Sequence, residues 1–245
     1  MINNEIYEDY GDRWYTAYDD PIALLRAENE AKWPWVLERI KKHSPSAQTL
    51  LDVGCGAGFL ANKMASLGFK VSGVDLSAES LRVAQKFDET KSVNYQHANA
   101  YELPFADESF EVVVTMDFLE HVYHPEKIVA ECARVLKPGG LFFYHTFNRN
   151  PLAEAVVIKF VEKFVKNTPP HMHLIELFIR PIELMQFCED AGLENLDVTG
   201  LRPVLTSFSL RDIFKGVVPK TLRFTTTEDL TISYMGLAQK NGPLT

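Results

Sequence analysis

Residues 50–61, LLDVGCGAGFLA, constrain the fold more than any other part of the chain. An apolar run stops at Gly54 and resumes at Phe59, with Gly54, Gly56 and Gly58 alternating between. Glycine enters left-handed backbone without steric cost and has no Cβ to hold a ligand away. A buried strand that turns into a helix through such a loop leaves the first helical N–H groups open. The surrounding sequence repeats that rhythm. Strands are predicted at TLLDV (49–53), KVSGVDLS (70–77), VNYQHA (93–98), FEVVVTM (110–116) and LFFYHTF (141–147). Helices are predicted between them, over 59–69, over 78–87 with Ser77 as N-cap, and over 125–140, closed by Pro138 and two glycines. The alternation implies an α/β fold of Rossmann-like type, a mostly parallel seven-stranded sheet with helices on both faces. The last two strands are 194–201 and 230–240, and 180–193 is a helix between them and the core. Residues 203–228 have weak periodicity and carry no assignment.

Such a sheet binds ligands at the carboxyl ends of its strands. The glycine loop ends the first strand, and Asp75 ends the second, 17 residues past Gly58. The Asp75 carboxylate is suited to accept two hydrogen bonds from a ribose diol. Loop and acid together predict a nucleoside-containing cofactor. A nicotinamide dinucleotide wants G-x-G-x-x-G, and here the third glycine comes one residue early. Asp52, just before the loop, is unwelcome beside a pyrophosphate but welcome beside an ammonium and a sulfonium. That charge pattern describes S-adenosylmethionine (SAM).

Four consecutive stretches, LLDVGCGAGFLA, VSGVDLS, LPFADESFEVVVTMDFLEHV and ARVLKPGGLFFYHT, resemble the class I SAM-dependent methyltransferases. The resemblance implies that Gly54, Gly56 and Gly58 approach the methionine part and that Asp75 holds the ribose. Asn99 falls where many relatives carry an acid that contacts the adenine amino group, and its side-chain carbonyl can accept the same bond. Met116 would lie near the methionine moiety. Further stretches, EDYGDRWY, DFLEHV, TFNRN with the helix and PPHMH loop after it, RPIEL and ISYMGLAQK, are similar to the ubiquinone-biosynthesis O-methyltransferases and extend the match over most of the chain. That closer resemblance implies an enzyme that methylates a hydroxyl of a polyprenylated phenol or catechol in making ubiquinone or a related quinone. It also implies that Arg26 reaches the cofactor's carboxylate and that Asp117, Glu120 and His121 hold a divalent metal, magnesium or zinc. The stretch 211–229 is longer than the family pattern and is expected to reshape the substrate pocket.

The D-x-x-E-H spacing supports a site by itself. If Asp117 begins a helix, offsets of three and four put Asp117, Glu120 and His121 on one face. Such a trio either binds an ion, with His121 as an alternative general base, or caps and packs the turn. His124 and His145 read as ordinary surface or core histidines, and His171 and His173 as loop residues, with metal binding there the lesser reading.

Residues 1–245 read as a single domain: a helical cap (1–45), in which Pro34 starts or kinks a helix, the SAM-binding core (46–150), an amphipathic segment (151–180) and a C-terminal helix with strands (181–245). In the amphipathic segment Leu152, Val156, Phe160, Val161, Phe164 and Val165 share a side flanked by Lys159, Lys163 and Lys166. That face is either a lid over the site or a contact with a membrane surface. The net charge of −8, from 25 basic and 33 acidic residues, disfavours nucleic acid as a partner. Three scattered cysteines suggest a reducing, cytoplasmic setting, peripheral to the inner membrane face if the helix touches lipid. Rival readings are a methyltransferase of a soluble metabolite, a nicotinamide oxidoreductase, and a non-catalytic SAM-binding partner.

Overall fold

The computed structural model describes residues 5–208, 211 and 215–242. Its centre is a sheet of eight strands, β1 (Thr49–Val53), β2 (Lys70–Asp75), β3 (Asn94–His97), β4 (Phe110–Met116), β5 (Leu136–Phe147), β6 (Leu193–Pro203), β7 (Phe224–Thr227) and β8 (Ser233–Lys240). Their spatial order is β3-β2-β1-β4-β5-β8-β6-β7. The first five are parallel, and β8, β6 and β7 join antiparallel. Seven strands were expected; the eighth, β7, is a short edge strand in the stretch whose polar FTTT sequence gave no apolar alternation.

The parallel strands are apolar in continuous runs because both faces are covered. Along β5 the side chains alternate between two cores. Phe142 and Tyr144 face Ile128 and Leu184, from α5 (Pro125–Val135) and α8 (Pro181–Asp190). Leu141 and Phe143 face Trp35, Val36 and Met64, from α2 (Ile22–His43) and α3 (Phe59–Ser66). The predicted helix over 78–87 is α4 (Ala78–Phe87), with Ser77 Oγ accepting from Ser80 N at 3.0 Å. Pro34 does not start a helix. It lies inside the 22-residue α2, whose Trp35, Val36 and Ile40 are buried against the sheet.

The chain ahead of α2 forms a 3₁₀ turn at Glu5–Glu8 and a short α1 (Arg13–Thr16). Tyr10 and Trp14 pack with Ala57 of the glycine loop, Val83 of α4 and Met172. The amphipathic segment is one helical run: α6 (Pro151–Ala153), a π-helical stretch Glu154–Phe160, and α7 (Val161–Phe164). Only Ala153 and Val157 are buried there, against Phe147 and Phe178. The described part of the long stretch packs on the N-terminal segment, where Val218 N donates to Tyr18 O at 2.7 Å. No helix is long and apolar enough to cross a membrane among the described residues.

Candidate active site

The sheet order reverses at β1, with β2 on one side and β4 on the other, so the crevice opens at their carboxyl ends. A cavity of about 360 Å³ lies there. Asp52, Gly54, Gly56, Asp75, Asn99, Met116, Asp117 and His121, all expected site residues, line it. Gly58 stands one step behind, as the left-handed N-cap of α3, φ 77°.

The glycines answer to the protein's own aromatic rings as well as to a ligand. A Cβ on Gly54 would come within 2.4 Å of the Phe118 ring, and one on Gly58 within 2.2 Å of the Tyr95 hydroxyl. The loop is tied to β2 by Gly54 N and Cys55 N, which both donate to Val74 O. Asp75 holds the loop open: its carboxylate accepts from Gly56 N and Ser77 N, each at 2.8 Å, and burial pushes its pKa up. Asp52 is buried, and burial raises its carboxyl to about 7. Asn99 sits at the exposed rim, its side-chain oxygen accepting from Tyr101 N at 3.0 Å.

Arg26 lies elsewhere. Its guanidinium donates to the carbonyls of Trp14 and Ala17 and covers the Tyr18 ring at 4.9 Å, outside the cavity lining. Those carbonyls end α1 and have no further helix to satisfy them, so they take the guanidinium instead of a cofactor carboxylate.

The D-x-x-E-H cluster departs from the expected helix. Asp117 has φ +55°, and the turn after it, Leu119–His121, is 3₁₀. The reversal splits the trio. The Asp117 carboxylate turns to α2, where both its oxygens accept from Lys32 Nζ at 2.7 Å, and one meets His145 Nδ1 at 2.6 Å. Burial would raise the Asp117 pKa, but the Lys32 ammonium, with His145, holds it well below the usual carboxylate range. Glu120 is fully buried on the other side, accepting from Thr146 Oγ1 at 2.8 Å. Burial, then the Asp117 charge, raises Glu120 to about 8 and favours its neutral acid form. His121 is pushed down by burial to about 4 and is neutral.

The expectation that Asp117, Glu120 and His121 hold one ion is therefore corrected. Among the described residues, the donor atoms that converge within 4.8 Å are Glu120, His121 and His173 in one group and Glu28, Asp117 and His145 in another. The second already encloses the Lys32 ammonium. The first joins two members of the expected trio to His173 and leaves Asp117 out.

Several residues at the site were not predicted. Tyr7 roofs the cavity, stacking on Trp14 at 5.7 Å between centroids and standing edge-on to His121 at 5.8 Å. Its hydroxyl faces His121 Nε2 at 3.4 Å. His173 lies 5.1 Å from the His121 ring. The prior signals were the aromatic-rich N-terminus, the PPHMH motif that carries His173, and the helical spacing of Glu28 and Lys32. Leu152, Val156 and Phe160 line no part of the cavity and remain exposed.

The matches to known proteins agree with this geometry. A family profile described as a methyltransferase domain matches residues 51–144. A ubiquinone biosynthesis O-methyltransferase of Thiobacillus denitrificans is 37% identical over 80% of this chain and 84% of its own length. One from Pseudomonas putida is 35% identical over 89% of this chain and 94% of its own. A crystal structure of magnesium protoporphyrin IX methyltransferase from Synechocystis, with bound SAH, superposes with a TM-score of 0.59 at 15% identity, covering 89% of this chain and 84% of that one.

Proposed function

The chain belongs to the family of the ubiquinone biosynthesis O-methyltransferases and is a SAM-dependent methyltransferase; from that premise we propose that it methylates a phenolic hydroxyl of a polyprenylated quinone precursor, with His121 as proton acceptor. One observation carries the reading. A buried neutral imidazole at the wall of the cofactor cavity points its Nε2 at a phenol, that of Tyr7. The acceptor would present the same group in the same place once Tyr7 yields it.

SAM supplies a methyl carbon already activated by its sulfonium. Gly54 and Gly56 would let the methionine part lie against bare backbone, Asp52 would offer a carboxylate to its positive charge, and Asp75 would take the ribose. Asn99 would hold the adenine and Met116 would stand by the methionine. The acceptor oxygen attacks in line with the C–S bond, and holding it about 3 Å from the methyl replaces a bimolecular encounter. As the O–C bond forms and the C–S pair returns to sulfur, the phenol proton becomes acidic and passes to His121. A ring hydroxyl with an ordinary pKa near 10 needs that acceptor at neutral pH. The residues present do not fit a metal bound by Asp117, Glu120 and His121, so no step runs through one.

The exposed stripe Leu152, Val156 and Phe160, flanked by exposed Lys159 and Lys163, supports contact with an anionic membrane surface, where a polyprenylated acceptor resides.

The deciding experiment incubates the protein with labelled SAM and a short-chain prenylated catechol, with and without chelator. Methyl transfer that survives chelation and falls by about 10²–10⁴ in His121→Ala is expected. Transfer abolished by chelator and restored by magnesium or zinc refutes the metal-free step. SAM binding with no transfer refutes the acceptor class.

A further inference from the structure

The carboxylate at the end of β4 is the first residue of the turn that carries His121, and its anchorage lies on a different element from the rest of the site. Lys32 projects from the middle of α2 and is 1% exposed. Its three N–H groups have three acceptors, Glu28 Oε2 at 2.8 Å and the two Asp117 oxygens at 2.7 Å each. His145, fully buried on β5, closes the group through Nδ1. Donor atoms of Glu28, Asp117 and His145 lie within 4.8 Å of one another, the spacing of a ligand set around an ion. An ammonium fills it.

We infer that Lys32 is a positioning residue for methyl transfer, an internal cation standing where a divalent ion would stand among Glu28, Asp117 and His145. The inference rests on the methyltransferase reading. Its consequence for the site follows from the backbone. Asp117 is left-handed, which a residue with a Cβ adopts only when its surroundings over-determine it. Two contacts do so: Asp117 N donates to His145 O at 3.1 Å, and the carboxylate is gripped by Lys32. The residues after it use that direction. The Phe118 ring lies against Gly54, and the 3₁₀ turn brings His121 to the cavity. Lys32 thereby joins α2 to the turn that presents the proton acceptor. Without the ammonium, the Glu28 and Asp117 carboxylates face each other with no cation between, and only the two His145 contacts are left to hold Asp117 in its conformation.

The test compares Lys32→Met, which keeps the stem as far as Cε and removes the ammonium, with Lys32→Arg, which keeps charge. SAM binding is read by calorimetry and transfer by steady-state kinetics. Lys32→Met is expected to lose at least about tenfold in kcat while SAM affinity stays within about threefold, because the fault is placement of the acceptor side. Lys32→Arg is expected to recover most of the loss. A Met variant with unchanged kcat, or an Arg variant as slow as Met, overturns the inference. A second arm needs no acceptor and survives a failed function reading. Lys32→Ala opens the place, so manganese is expected to raise its melting temperature by about 4 °C or more and to restore folding if the free variant is unfolded. The unaltered protein is expected to respond neither to manganese nor to chelator. An Ala variant indifferent to manganese, or an unaltered protein that chelator destabilises, overturns it.

Discussion

At the residue scale the site is built from buried acids whose protons depend on what lies beside them. Asp52 has its carboxyl raised to about 7 by burial, so without a cationic ligand it is about half protonated at neutral pH. In the proposed placement the ammonium and sulfonium of SAM would favour the carboxylate, and binding would release a proton. SAM affinity is therefore expected to rise several-fold from pH 6 to pH 8 by calorimetry, and Asp52→Asn to flatten that dependence. An affinity independent of pH in the unaltered protein contradicts the placement of Asp52 beside the charge. Gly58 gives a second prediction. Its φ of 77° and the Tyr95 hydroxyl 2.2 Å from a would-be Cβ forbid alanine. Tyr95 has little room to retreat, since its hydroxyl donates to Asn62 at 2.7 Å. Gly58→Ala is expected to lower unfolding free energy by about 2–3 kcal/mol in denaturant titration.

At the element scale, the run of α6, π-helix and α7 uses only a narrow stripe for the core. Ala153 and Val157 satisfy packing, while Leu152, Val156 and Phe160 are each at least 40% exposed. The apolar side read from the sequence is thus mostly outward, because the run packs on the core only through Ala153 and Val157. Changing Phe160 to Glu is expected to leave the melting temperature within about 1 °C, as for other exposed positions, and to abolish co-sedimentation with anionic vesicles. Unchanged vesicle binding would assign the stripe another role. The N-terminal elements behave oppositely: Tyr7 and Trp14 turn inward over the glycine loop, so the segment read as a helical cap serves as a roof of the site.

Across the whole molecule, the raised acids set the pH response. Glu120 and Asp52 have folded pKa values of about 8 and about 7 against roughly 4 when unfolded. Raised folded values mean stability that is complete below the unfolded pKa and lost as pH rises through the folded one. Asp20 and Asp75 are raised too, with the same sign. The neutral His121 and His173, lowered to about 4 and about 3, lose stability only below about 6.5, where the unfolded chain takes up protons. The SAM-free protein is therefore expected to lose melting temperature steadily from pH 6.5 to pH 8. Glu120→Gln keeps the neutral shape, so it should shrink that loss; an equal slope in the variant would show that Glu120 is ionised throughout.

The sequence by itself determined the core fold and the position of the glycine loop and Asp75 on it. Five parallel strands, the glycine loop, Ser77 as a cap and Asp75 at a strand end are local matters, fixed by periodicity, glycine geometry and short-range bonding. They fall on one sheet edge because the βαβ connection permits little else. The acceptor end was decided only by the tertiary structure. Asp117, Glu120 and His121 look like one helical face, yet a lysine 85 residues away in the chain captures Asp117 and turns the backbone left-handed. Arg26 has the charge to reach a ligand, but the carbonyls of α1 take it first. Tyr7, far ahead of His121 in the chain, and His173, well after it, meet its ring. Long-range burial, by removing water from a charge, decides which partner a side chain takes, and no spacing along the chain records it.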